Sequence, residues 1–134
     1  MWIGPIRLMA ITLAQKSGLR VLDVWYLGTR ELDLTQKAGP VRTPADLKGI
    51  KLRVPGGVWR VKMFRAYGAN PTPLAFSEVF VALKTGAMDG QENPVVSVII
   101  PSKLWTSQKH ITLWNYVNDP LVLGMSKRTF DSLT

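Results

Sequence analysis

Cysteine is absent from this chain of 134 residues, and His110 is its one histidine. The lack of cysteine excludes disulfides, thiolate zinc sites and a cysteine nucleophile, and a single histidine excludes a multi-histidine metal site. Nothing resembles a nucleophile elbow or fixes the order of a catalytic triad, so we expect His110 to be a surface or strand-edge residue. We therefore predict that the protein is not an enzyme and binds no metal or cofactor.

Phosphate-binding motifs are also missing, since the chain contains neither GxxxxGK[ST] nor GxGxxG. Gly56 and Gly57 before a predicted helix are only a weak anion-binding signal. Asp89 and Glu92 form the one candidate acid–base pair. They flank a glycine beside a predicted helix start, where carboxylates usually accept backbone N–H bonds, and we interpret them as structural.

Long hydrophobic runs are lacking as well. The apolar segment Met1–Ala14 is interrupted by Gly4, Pro5 and Arg7 and has no basic residues ahead of it. It is too short to span a bilayer and makes a poor signal peptide, so we expect the signal peptide to be missing from this chain.

Acidic residues are few, with 9 Asp and Glu against 17 Lys and Arg, which gives a net charge of +8. Residues 1–67 hold 12 basic and 4 acidic side chains, whereas residues 68–134 hold 5 of each. We expect anions or an acidic partner to meet the first half. A basic nucleic-acid-binding module is one alternative, although the basic residues are dispersed and no RNP, helix-turn-helix or zinc-finger motif is present.

The apolar patterning predicts short strands alternating with helices, which indicates an α/β fold whose sheet has parallel components. We expect a helix ending at Lys16 and capped by Gly18, and a helix starting at Thr43–Leu47. Asn93 and Pro94 predict an N-cap and first turn for a helix running from Val95 to about Gln108, with a kink at Pro101. The other predicted helices are Val58–Tyr67, Ser77–Thr85 and a short final helix capped by Ser126. The predicted strands are Val21–Tyr26 (buried), Ile50–Val54, Met88–Asn93 (strand or loop), Ile111–Val117 and Leu121–Met125.

Two arginines stand apart from the other basic residues. Arg30 follows the Gly28-Thr29 turn, and strand alternation directs Arg53 away from the apolar face of its own strand. A guanidinium group can hold a carboxylate through two parallel hydrogen bonds, which an ammonium group cannot do. For a strand arginine taken alone, a solvated surface position is the commoner outcome.

Several ordered motifs carry a family resemblance: Gly28-Thr-Arg30, Thr43-Pro-Ala-Asp-Leu-Lys-Gly-Ile-Lys-Leu-Arg-Val-Pro55, Gly68-Ala-Asn-Pro-Thr-Pro-Leu-Ala-Phe-Ser-Glu-Val-Phe80, Ala82-Leu-Lys-Thr-Gly86 and Met88-Asp-Gly-Gln-Glu-Asn-Pro94. From about Val21 to Leu133 the sequence resembles the extracytoplasmic solute-binding proteins of TRAP transporters, of the DctP type. The resemblance implies a periplasmic, two-lobed α/β protein that captures an organic acid and delivers it to a membrane permease. It further implies a type II-like binding-protein lobe with a mixed, largely parallel sheet flanked by helices.

The resemblance also nominates ligand contacts. It implies that Arg53 pairs with the ligand carboxylate, that Arg30 and Asn93 are further contacts, and that Phe76 lines the pocket. Trp59 is either a pocket wall or the core-facing aromatic of its helix. The identity of the acid stays open between monoacids, dicarboxylates and sugar acids.

Compared with the family, the chain resembles only part of a member. We expect residues 1–30 or so to be the tail of the first lobe with a hinge strand, and residues 31–134 to be most of the second lobe with a returning hinge strand. Such a chain should bind organic acids weakly or not at all, should not bind nucleic acid, and should self-associate. A truncated product without function is the remaining alternative.

Overall fold

The computed structural model describes residues 3–133 of the chain. They divide into two compact units: the first unit contains the residues up to Gly28 and those from Asn118 onward, and the second unit contains Thr29–Val117. No helix within residues 3–133 is long and apolar enough to cross a membrane. The assignment of these parts to the lobes of a longer protein stays a prediction.

The first unit begins with helix α1, Ile3–Lys16, and continues into strand β1, Leu19–Thr35, whose later residues belong to the second unit. Gly18 ends α1 in the left-handed conformation, with φ 71°, as the sequence predicts. Strand β6, Asn118–Ser126, pairs with β1 and leads into helix α4, Lys127–Asp131. The predicted α1 and α4 are thus present, although the side chain of Ser126 makes no capping hydrogen bond.

The expectation of a buried strand at Val21–Tyr26 is wrong for most of its side chains. Val24 is buried, but Leu22, Trp25 and Tyr26 are all exposed by more than two fifths. The segment is apolar, as the sequence shows, but the first unit has too few described residues to cover both faces of this strand.

The second unit is built on a five-stranded mixed sheet in the order β3-β2-β4-β1-β5. Strands β2 and β3 and strands β2 and β4 pair in parallel, while β1 pairs antiparallel with both β4 and β5. This is the mixed α/β sheet expected from the sequence. Its remaining elements are β2 (Lys51–Val54), α2 (Val58–Ala66), β3 (Asn70–Pro73), α3 (Phe76–Lys84), β4 (Gly90–Pro94) and β5 (Gln108–Thr112).

Two apolar clusters hold the second unit together. Phe64 of α2 is fully buried and packs against the rings of Trp114 and Tyr116, with centroid separations of 5.8 and 5.9 Å. The larger cluster also contains Leu32, Leu34, Leu47, Leu52 and Val54. The smaller one contains Val79, Leu83, Ile99 and Leu104. Leu32 and Leu34 alternate with the polar Glu31 and Asp33 along β1, so the sheet carries acidic side chains inside the fold.

A continuous helix from Val95 to Gln108 is not formed. Val95–Ile99 is one turn of π-helix, Leu104–Thr106 is a short 3₁₀ turn, and Gln108 already begins β5. Pro101 cannot donate a backbone hydrogen bond, and Lys103 adopts the left-handed conformation with φ 55°, so the helix cannot propagate past them. Consequently β5 lies earlier in the chain than the strand predicted at Ile111–Val117.

Asn93 is not an N-cap. It lies inside β4, and Pro94 is the residue that precedes the π-helical turn. An asparagine before a proline is locally compatible with both structures. Pairing of Asn93 with Glu31 of β1 decides between them, because a residue in the sheet has extended backbone geometry.

A glycine is required at position 90, where β4 pairs with β1 opposite Leu34. A Cβ atom at this position would overlap Leu34 Cδ2 and lie 2.7 Å from the carbonyl oxygen of Asp33. Gly90→Ala should therefore lower the free energy of unfolding by about 1–3 kcal/mol, measured by urea denaturation. Gly56→Ala is the matched control, because a Cβ there meets nothing within 4 Å. Equal unfolding midpoints for the two variants would contradict this close approach.

Candidate functional site

The residues nominated by the sequence lie on three neighbouring strands of the second unit and on two of its helices. Arg30 of β1 is in register with Pro94 of β4, and Arg53 of β2 is in register with Gln91 of β4. Arg30, Arg53 and Asn93 expose 5%, 3% and 5% of their surface. They are therefore not the solvated surface residues that isolated strand positions would suggest.

Arg30 is held by the two residues that follow Gln91. Its Nη2 donates to Glu92 Oε1 at 3.1 Å, to the backbone oxygen of Glu92 at 2.7 Å and to Asn93 Oδ1 at 2.8 Å. Its Nε donates to Glu92 Oε2. Asn93 Nδ2 in turn donates to Gln91 Oε1. The structure thus brings Arg30 and Asn93 together, and Glu92 supplies the opposite charge.

Glu92 is the residue that sequence reasoning misinterpreted. Its side chain accepts from Arg30 and from the Tyr116 hydroxyl rather than from backbone N–H groups, and it is fully buried. Arg60 Nε lies 3.7 Å from Glu92 Oε1. The pKa of Tyr116 is raised by burial and by the neighbouring Glu92 carboxylate. The phenol therefore stays protonated, and its O–H donates a hydrogen bond to Glu92. The signal available was Gln91-Glu92-Asn93, three polar residues in a strand-length segment between apolar elements.

Asp89, the candidate acid–base partner of Glu92, has the structural role that the sequence predicts. Its Oδ2 accepts the backbone N–H of Lys51 at 3.0 Å, which joins the start of β2 to the loop before β4. Asp89 and Glu92 therefore serve different neighbours and do not form an acid–base pair.

Arg53 binds a neutral acceptor. Its Nε and Nη2 donate to the carbonyl oxygen of Leu74 at 2.9 and 2.8 Å, and neither bond engages Nη1. Its Cζ lies 5.8 Å from the centre of the Phe76 ring. Burial lowers the pKa of Arg53, Glu92 raises it, and the positive charges of Arg30 and Arg60 lower it further. The structure thus joins Arg53 to Phe76, whose side chain is 47% exposed.

Trp59 is not a core-facing aromatic. It exposes 48% of its surface, and Phe64 is the buried aromatic of α2. Arg60 lies against the Trp59 ring, with Cζ 4.4 Å from the centroid. Met63, one turn later in α2, packs against the larger cluster, whereas Val58 and Trp59 at the start of the helix are exposed.

His110 lies on β5, at the end of the strand order in this unit, paired with Leu34. Its Nε2 is buried without a hydrogen-bond partner among the described residues. Within residues 3–133, no group of three His, Cys, Asp or Glu side chains is placed to hold a metal ion.

Residues 8–134 match the sequence profile of the DctP family, the bacterial extracellular solute-binding proteins of family 7. The chain belongs to this family. It is 42% identical to the sialic acid-binding periplasmic protein SiaP of Vibrio cholerae over 91% of its own length and 37% of that protein. It is 39% identical to the 2,3-diketo-L-gulonate-binding periplasmic protein YiaO of Escherichia coli, over 87% of this chain and 35% of that one.

Solved structures agree with the family membership. The sugar acid-binding protein DctPAm of Advenella mimigardefordensis, in complex with galactonate, superposes with a TM-score of 0.87 at 37% identity. A TRAP periplasmic solute-binding protein of Ralstonia eutropha bound to (S)-2-acetolactate gives a TM-score of 0.91 at 39% identity. Each match covers 98% of this chain and 41% of the other. The resemblance inferred from the motifs and the α/β fold expected with it are thereby confirmed, and the chain spans about two fifths of the length of its relatives.

Asp33 makes stability depend on pH. Its side chain is buried, and burial raises its pKa from 3.8 to about 7 against the opposing hydrogen bond from Gln91. The folded state therefore holds this proton more tightly than the unfolded chain does between those two values. The protonated Asp33 carboxyl contributes its full stability below the pKa of Asp33 in the unfolded chain, 3.8. This contribution is lost as the pH rises through the pKa of Asp33 in the folded protein, about 7. Asp33→Asn should remove this loss, which amounts to about 4 kcal/mol at most.

The measurement is urea unfolding of both proteins from pH 4 to pH 8, where the variant should gain on the wild type as the pH rises. Asp46→Asn is the control, and its difference from the wild type should not change between pH 4 and pH 8. Backbone hydrogen bonds from Arg42 and Thr43 lower the pKa of Asp46, so its stabilisation is lost only as the pH falls below its ordinary range. Parallel profiles for wild type and Asp33→Asn would show that Asp33 is not a buried titrating group.

Proposed function

We propose that this chain is the ligand-binding part of a TRAP-type solute-binding protein that captures an organic acid through its carboxylate. The observation that supports this most strongly is the state of Arg53. A buried guanidinium whose hydrogen bonds go to a carbonyl oxygen has no anion of its own, and burial makes that costly. A ligand carboxylate in contact with Arg53 would supply the missing charge through a strong, directional ion pair.

The other nominated residues surround this anchor in the proposal. Arg30, fixed by Glu92, is the second contact, and Asn93 presents its amide beside it. Phe76 provides an apolar wall next to Arg53, and Trp59 provides one next to Arg60. Arg53, Arg30, Asn93, Phe76 and Trp59 all belong to the second unit. In our proposal no chemical step takes place, and the protein works by capture, closure and release.

Relatives support the chemical class of the ligand. Their names specify diketogulonate and sialic acid, and bound ligands in solved relatives include galactonate and L-gulonate. All of these are organic acids with a carboxylate. We accordingly place the protein in the periplasm and assign it a TRAP permease as its partner.

The basic composition does not favour the nucleic-acid alternative. Arg30 and Arg53 are buried, and Arg60 exposes only 15% of its side chain. Cations that are withdrawn from the surface cannot contribute to a phosphate-tracking face. We therefore do not expect nucleic acid to be a partner.

Arg53 provides the direct test. Sodium D-galactonate should shift the Nε–H resonance of Arg53 in ¹⁵N NMR spectra of the 134-residue chain, with a dissociation constant in the millimolar range. Arg53→Gln should weaken binding by about tenfold or more, because it removes the charged half of the ion pair. Arg65→Gln removes the same charge from an exposed position on α2 and should leave the affinity within about twofold. Equal losses in the two variants, or tight calorimetric binding that ignores Arg53, would contradict this function.

We also propose that the isolated chain self-associates through its first unit. Leu8, Met9 and Leu13 of α1 expose 67%, 65% and 63% of their surface, an amount unusual for three apolar residues of one helix. Sedimentation velocity should show a weight-average mass that increases with concentration. Replacing Leu8 and Met9 by Gln should shift the distribution towards monomer. A single monomeric species at all concentrations would contradict the proposal.

A further inference from the structure

The second unit has a small apolar cavity that none of the proposed ligand contacts lines. Its volume is about 150 Å³, and it lies between the 3₁₀ turn Pro44–Leu47, the C-terminal end of α2 and the segment that includes the end of β5. Its apolar lining is made by Val41, Pro44, Leu47, Tyr67 and Trp114. An apolar cavity of about this volume can hold a benzene ring. The cavity therefore fits one aromatic or aliphatic side chain.

Trp114 forms a wall of the cavity that several contacts hold in place. Its ring centroid lies 5.8 Å from that of Phe64, 6.2 Å from that of Tyr67 and 4.8 Å from that of Tyr116. Its backbone N–H donates to the buried Glu31 carboxylate at 2.8 Å. The indole ring is thus oriented before anything binds, which lowers the entropic cost of binding.

The indole N–H group of Trp114 lacks an acceptor. Its Nε1 is buried and has no hydrogen-bond partner among residues 3–133. Buried N–H groups almost always have a partner, since leaving one unpaired costs free energy. The other hydroxyl-bearing strand residue of the cavity, Thr112, cannot help, because it donates its own proton to the carbonyl oxygen of Val41. A ligand that carries a carbonyl oxygen beside its apolar group would supply the missing acceptor.

Basic side chains surround the cavity. Arg42 is one of its lining residues, Lys48 follows the 3₁₀ turn, and Arg65 lies in the last turn of α2. All three side chains are exposed. The acid nearest to them in sequence is Asp46, which accepts the backbone N–H of Arg42 at 2.9 Å, and residues 47–77 contain no Asp or Glu. The excess positive charge favours an acidic partner.

The position of these cations indicates the size of the partner. Gly49 donates its backbone N–H to the carbonyl oxygen of Gly68 at 2.9 Å, which brings Lys48 beside the end of α2. Neither Lys48 nor Arg65 lines the cavity. A ligand that fills the cavity and also meets them must extend across the surface, as a polypeptide does. A nucleic acid would meet the cations, but the polar edges of a base would be left unpaired in an apolar cavity.

We propose that this cavity is a docking site for an acidic peptide segment of a partner protein. The segment inserts one apolar side chain between Tyr67 and Trp114, and a backbone carbonyl oxygen of the segment accepts the indole N–H. Its carboxylates pair with Arg42, Lys48 and Arg65. The proposal makes no use of the carboxylate anchor at Arg53, so the docking site and the proposed function can fail separately.

The probe is the peptide acetyl-Asp-Glu-Phe-Glu-Asp-amide, titrated into the ¹⁵N-labelled 134-residue chain. The indole N–H resonance of Trp114, assigned from its loss in Trp114→Phe, should shift and saturate. Replacing the phenylalanine of the peptide by alanine should weaken binding by about tenfold, because the cavity is then left unfilled. Replacing its acids by Asn and Gln should weaken binding by about threefold or more. An excess of sodium D-galactonate should leave this resonance unchanged.

Variants of the chain separate the cavity from general charge attraction. Tyr67→Ala removes an exposed wall and should weaken the phenylalanine peptide by about fivefold while leaving the alanine peptide unaffected. Arg42→Gln should weaken both peptides by about threefold, whereas Lys84→Gln, which removes an exposed charge from α3, should change neither. Equal affinities for the phenylalanine and alanine peptides, or equal losses in Arg42→Gln and Lys84→Gln, would overturn the proposal. Tighter binding of a short oligothymidylate at the same indole resonance would also overturn it, in favour of nucleic acid.

Discussion

The Glu92 carboxylate is the group on which the arrangement of the second unit depends. It is fully buried, and a charged carboxylate without partners in that position would destabilise the fold. Arg30 and the hydroxyl of Tyr116 prevent this by bonding it directly. The same contacts tie β1, β4 and the segment after β5 to one point. Removing Arg30 would break the buried ion pair, which in comparable cases costs about 3–5 kcal/mol.

This constraint explains an unusual central strand. Strand β4 lies between β2 and β1, where apolar residues are the norm, yet its sequence is Gly-Gln-Glu-Asn-Pro and all five residues are buried. Its polar side chains are matched across the sheet, with Gln91 bonded to Asp33 and Asn93 bonded to Arg30. The apolar core is correspondingly divided into two clusters. Cross-strand pairing of polar side chains specifies strand register, because a slip by one residue would separate these partners.

The parts of this structure that depend on local signals could be predicted from the sequence. Gly18 ends α1, Thr43 and Asp46 form a capping box at the helix start predicted there, and α3 begins and ends within one residue of its predicted bounds. The alternation of residues along Ile50–Val54 correctly predicted that Leu52 and Val54 face the apolar cluster and that Arg53 does not. Local signals failed where distant partners decide the outcome. Asn93 was predicted to cap a helix, but it pairs with Glu31 in the sheet instead. Glu92 is hydrogen-bonded to Arg30, which lies 62 positions away in the sequence.

The family resemblance added what periodicity could not, because it nominated Arg30, Arg53 and Asn93 from three separate motifs. It could not reveal that Glu92 and Arg60 share their environment. Neither residue has a distinguishing pattern: a glutamate beside a predicted cap and an arginine on a predicted helix are both ordinary surface residues. Only the fold shows that they are withdrawn from water and lie 3.7 Å apart.

Charge segregation along the chain acquires a physical meaning in this fold. Arg30, Arg53 and Arg60 all come from the basic first half, whereas Glu92 comes from the balanced second half. Folding brings one acid to two buried cations and one half-buried cation, and the excess of positive charge in this low-dielectric environment opposes the folded state. A ligand that binds only the folded protein and neutralises this excess stabilises it by mass action. In the proposed function, anion binding and the stability of the second unit are therefore linked through the same four side chains.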